Sequence, residues 1–118
     1  MGACAGKYNI IADQGATFTR QLTWKDTDGD PVDLTGYTAR MQLRSQIDAS
    51  GAAVLELTTE NNRIVLGGTA GSINLSVAAT AMAEISAATY VYDLELVSGS
   101  VVTRLVQGTF EIRGEVTR

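Results

Sequence analysis

YVYDLELVSGSVVTRLVQGTFEIR, residues 90–113, decides the fold. In its first half Tyr90, Tyr92, Leu94 and Leu96 alternate with Val91, Asp93, Glu95 and Val97. A period of two puts the two sets on opposite sides of an extended chain, so this is a strand with one face in a core. Ser98, Gly99 and Ser100 form a tight hairpin signal. Val101–Arg113 then returns as a long final strand, and Gly108 inside it predicts a bulge or a bend. Asp93 and Glu95 fall on the face opposite Tyr92 and Leu94. That placement suits a solvated or subunit-facing surface, not an acid–base pair in a pocket.

The same period recurs through the chain. In residues 17–25, TFTRQLTWK, Phe18, Leu22 and Trp24 share one face and Thr17, Thr19, Gln21 and Thr23 the other. Arg20 lies on the apolar face, so either its stem packs while its head reaches water or the strand bends there. In residues 37–44, Tyr37, Ala39, Met41 and Leu43 alternate with Thr38, Arg40, Gln42 and Arg44. Residues 45–52 read as a loop. Leu55 and Leu57 share a face in the next strand, and Asn61 and Asn62 mark a turn. Residues 63–66, RIVL, make a short strand cut by Gly67 and Gly68. Ile73, Leu75 and Val77 alternate with Ser72, Asn74 and Ser76. Period two then stops: residues 79–86 are good helix formers and predict one short helical turn, with Met82 and Ile85 over the core. Strands at this spacing, separated by turns, predict an all-β chain folded as a single sandwich over residues 1–118, with about eight antiparallel strands. Its open edges need cover, and neighbouring subunits can supply it.

Composition narrows the chemistry. The 118 residues include 9 basic and 13 acidic side chains and no histidine. With a net charge of −4 and no basic face, a nucleic-acid partner is not expected. The missing histidine removes the commonest general base and the commonest transition-metal ligand. Cys4 is the single cysteine, so a disulfide could join it only to another chain. The N-terminal residues lack the charged and apolar regions of a signal peptide, and no apolar run approaches ~18 residues, so no membrane partner is expected.

Two stretches invite a chemical reading. Residues 25–36, KDTDGDPVDLTG, carry Asp26, Asp28, Asp30 and Asp33. An EF-hand calcium loop started at Asp26 would place Asp28 and Asp30 correctly. It would then put Pro31 where glycine is needed and Tyr37 where a bidentate glutamate is needed. Asp-Gly is instead a hairpin signal, and Asp33 and Thr35 can cap backbone N–H groups. Asp26, Asp28 and Asp30 remain a minor candidate cation site; no cofactor is expected. Residues 67–72, GGTAGS, lack the Lys-Ser/Thr pair of a phosphate loop. A serine nucleophile would need Lys7 or Lys25, the only lysines, and both sit beside turns or the terminus. The chain is therefore not expected to be an enzyme.

Residues 24–44, 71–77, 90–99 and 104–118 together resemble a family of small bacteriophage virion proteins. The shared pattern is a DG-x-P-x-DLTG hairpin, a YVYDLEL strand and a closing G-x-F strand ending in VTR, and the likeness runs from about Tyr8 to Arg118. A looser likeness links the chain to the N-terminal domains of phage baseplate proteins that carry receptor-binding parts. The resemblance implies an immunoglobulin-like sandwich and a non-enzymatic virion protein, made in the host cytoplasm. It would be a multi-copy adaptor of the tail, neck or baseplate, bound to other virion proteins and to copies of itself. A capsid decoration or cement protein is the alternative. A carbohydrate- or receptor-binding module is a third reading, and it needs Trp24 exposed. The family supplies no catalytic residues, and Cys4 lies outside its pattern. The expected partner contacts are the terminal segments 1–11 and 114–118, with Cys4, Tyr8, Ile10, Val116 and Arg118.

Overall fold

Apolar alternation produces strands throughout the computed structural model, which describes residues 6–45 and 53–114. The strands are β1 (Gly6–Lys7), β2 (Ile10–Asp13), β3 (Phe18–Thr23), β4 (Thr38–Arg44), β5 (Leu55–Thr58), β6 (Ile64–Leu66), β7 (Ser72–Val77), β8 (Ala88–Ser98) and β9 (Val101–Arg113). They form two sheets. The larger runs β1-β9-β8-β4-β5, with β2 also laid along β9; the smaller runs β3-β7-β6. The helical turn is α1 (Ala79–Ala83), and Met82 and Ile85 are both buried.

Register follows the pattern. Ala39, Met41 and Leu43 on β4 face Leu96, Leu94 and Tyr92 on β8, and Phe18 and Leu22 on β3 face Val77 and Ile73 on β7. The inward residues of both sheets meet in one core, which holds no buried polar residue among those described. Phe18 of the small sheet meets Phe110 of the large one edge to face, with centroids 5.2 Å apart, and Tyr92 meets Phe110 at 6.2 Å. Such edge-on pairs add to the gain from area burial. The all-β sandwich is thus as the sequence predicts.

Three features differ from expectation. First, not every pairing is antiparallel. β1 and β2 run parallel to β9, with Gly6 opposite Val106 and Ile10–Asp13 opposite Phe110–Arg113. Second, the register shift in β9 lies opposite Leu94/Glu95, where Leu105 is the extra residue, not at Gly108. Gly108 serves a close approach instead. A Cβ there would lie 2.7 Å from the Asn9 Oδ1 and nearer still to the Tyr8 carbonyl oxygen. Third, Ile10 is no surface contact. It is 1 % exposed and belongs to the core, because β2 docks as a sheet strand.

Candidate functional site

The aspartate loop is built as a turn. The Asp26 Oδ1 accepts the backbone N–H of Asp28 at 2.9 Å and of Asp30 at 3.0 Å. Its backbone N–H donates to the Asp30 carbonyl at 2.8 Å, and its carbonyl accepts from Gly29 at 3.0 Å. Gly29 takes φ 87°, a left-handed conformation that costs glycine little. Lys25 and Pro31 close the turn as an isolated antiparallel bridge. The carboxylate of Asp26 is therefore occupied by its own loop. Among the described residues no group of three or more His, Cys, Asp or Glu is placed to hold a metal ion. Asp33 caps the next turn, accepting the Thr35 hydroxyl at 2.6 Å and its N–H at 3.0 Å. These bonds, the hydroxyl's first, hold its carboxyl below the usual range.

The outer face of the large sheet carries a polar ladder. The Arg40 Nε meets the Glu95 carboxylate at 2.7 Å, and Arg104 meets Asp93 at 3.2 Å and Glu95 at 3.6 Å. Gln42 donates to Glu56 at 2.8 Å, and Arg44 donates to Gln42 at 3.0 Å. Partial burial, then the neighbouring Glu95 charge, raises Asp93 above the ordinary carboxylate range. With cations and carboxylates matched across strands, the ladder holds β9, β8, β4 and β5 in register. It forms no enclosed acid–base pair.

The N-terminal strands build the remaining feature. Tyr8 donates its N–H to the Gln107 carbonyl at 3.0 Å, and its carbonyl accepts the Tyr92 hydroxyl at 2.6 Å. Its own hydroxyl accepts from the Arg20 Nη1 at 2.6 Å. The Arg20 guanidinium lies 5.6 Å from the Phe18 ring centroid and 5.9 Å from that of Tyr8. The stem of Arg20 thus packs and its head bonds at the rim, and β3 keeps its pairing through Arg20. Beside this lock a groove of about 440 Å³ opens between the sheets, lined by Tyr8, Leu22, Thr23, Trp24, Lys25, Leu105 and Val106.

Of the expected contact residues, Tyr8 lines this groove and Ile10 is in the core. Cys4, Val116 and Arg118 lie outside the described residues. Trp24 is 8 % exposed, its ring edge-on to Tyr37 at 6.0 Å, so it offers no open stacking platform. Leu105 and Val106 escaped the sequence reading as groove residues. Their signal was the consecutive pair in RLVQG, where alternation breaks. No protein-family model matches the chain, and no curated protein matches its sequence.

Proposed function

We propose that this chain is a non-enzymatic structural protein of a bacteriophage particle, a multi-copy sandwich adaptor of the tail, neck or baseplate. The observation that carries the reading is where the virion-like motifs fall. The DGDPVDLTG stretch forms two capped turns, YVYDLEL lies between two neighbours in the large sheet, and the GTF stretch seats the N-terminal strands. Each motif builds scaffold, and where Asp93 and Glu95 of YVYDLEL line a polar depression on the outer sheet face, they are paired with Arg104 and Arg40. A scaffold with an apolar groove at one edge suits a part that holds other proteins. Quantitative mass spectrometry of purified particles tests this. The expected result is the chain at many copies per particle. Its absence from purified particles would refute the role.

A further inference from the structure

The two outer faces of the sandwich are unlike. On the large sheet the outward positions carry Arg40, Glu56, Asp93, Glu95 and Arg104, tied into the polar ladder. On the small sheet they are Thr19, Gln21 and Thr23 of β3 and Ser76, Asn74 and Ser72 of β7, set opposite one another in that order. Ser72 and Asn74 are half-buried and the other four exposed. Val65 of β6 stands beside Asn74 and is 56 % exposed. None of these side chains is ionised. The neighbouring cations are directed elsewhere. Arg20 bonds to the Tyr8 hydroxyl, Arg63 to the Glu56 carbonyl on β5, and Lys25 lines the groove. The residues outside the described ranges adjoin β1, β4, β5 and β9, all strands of the large sheet.

Charge on a solvated face costs little and aids solubility. Its depletion marks the centre of an interface. The chemistry of the face selects the occupant. Hydroxyl and primary amide groups both donate and accept, so this face is complementary to an identical face. The chain carries a net charge of −4, so two copies repel where acidic surfaces meet. Across this face they approach without bringing like charges together.

We propose that the outer face of β3, β7 and β6 is a contact between copies of this chain, packed sheet to sheet about a two-fold axis near Asn74. Asn74 is central, with Gln21 opposite on β3 and Val65 on β6. Its Nδ2 donates to the Val65 carbonyl at 3.3 Å, which leaves its Oδ1 as an acceptor for the second copy. Three strands of up to six residues make a patch of about 15 Å by 20 Å. That is about 300 Å², against roughly 800 Å² per partner in a stable complex. Such a contact is weak between free chains. It holds where neighbours are already tethered and the effective concentration is about millimolar. A multi-copy part meets that condition, so the inference rests on the assembly role above and names one of its partners.

Amide chemical shifts of the isotope-labelled 118-residue chain, followed from dilute solution to about 2 mM, test the contact. Expected are concentration-dependent shifts at Thr19, Gln21, Val65, Asn74 and Ser76, and none at Arg40 or Glu95. Asn74→Asp is nearly isosteric and sets two carboxylates together at the axis. It should weaken the association about tenfold and remove the shifts from this range. Asn74→Lys should do the same, and an equimolar mixture of the two variants should regain them, which a misfolded variant could not do. The proposal is overturned by an absence of shifts at about 2 mM, or by shifts confined to the large sheet. Asn74→Asp associating like the parent, or a mixture no better than either variant, overturns it too. So do shifts on this face when dextran is added to the dilute chain, since the occupant would then be a neutral polysaccharide. None of these results bears on whether the chain is found in particles, so the two claims fail separately.

Discussion

Asp26 is the residue where two chemistries competed. Its Oδ1 accepts two backbone N–H groups of its own loop, so it is spent on the turn. Asp26→Ala should lower stability by at most about 1 kcal/mol, while Asp26→Asn, which keeps the acceptor, should stay near the parent. Millimolar calcium should leave the melting temperature unchanged. A calcium-dependent rise lost in Asp26→Ala would restore the cation site. Gly108 is the stricter position. A methyl group there meets the Tyr8 carbonyl and the Asn9 amide, so Gly108→Ala should cost about 1–3 kcal/mol in urea unfolding. The two residues were unequally legible. The aspartate turn is local, and its partners lie within four positions in the sequence. The atoms that demand Gly108 come from residues 8 and 9, about a hundred positions away. A glycine inside a strand pattern could therefore be read only as a bulge or a bend.

At the scale of elements, period two placed the inward faces of β3, β4, β5, β7 and β8 correctly, because one face of each meets an apolar core. It missed β1 and β2, which are two and four residues long. Their identity as strands comes from parallel pairing to the far end of the chain, which leaves no local pattern. The antiparallel expectation failed for the same reason. These strands are fastened by side chains as well as by the ladder, and Tyr92 carries one of the fasteners. Tyr92→Phe should lower stability by about 0.5–1.5 kcal/mol and speed hydrogen exchange at the Tyr8 amide. Burial is the first cause raising the Tyr92 phenol above its ordinary value of 10.0. The folded state therefore keeps the proton where the unfolded state releases it. This contribution is fully present below pH 10 and declines as pH rises beyond the ordinary phenol value. Tyr92→Phe should flatten that part of the stability profile, measured by urea unfolding between pH 9 and 11.

At the scale of the whole molecule, the inward faces of both sheets close over one core. Asn61 and Arg63 occupy a backbone carbonyl on β5, and an apolar groove lined by Tyr8, Leu22, Leu105 and Val106 opens beside β9. The sequence predicts open edges and partner contact through the terminal segments, and of those contact residues Ile10 lies in the core. An apolar side chain near a terminus is equally consistent with a partner's surface and with the chain's own core. The groove was illegible because its walls come from β3 and β9, which the sequence cannot bring together. The proposed role as a building part of a phage particle is tested most directly by three-dimensional reconstruction of that particle. The expected result is this sandwich in many symmetry-related copies at the tail, neck or baseplate. Copies on the capsid shell would favour the decoration reading, and a reconstruction in which the sandwich occupies no position would contradict the claim.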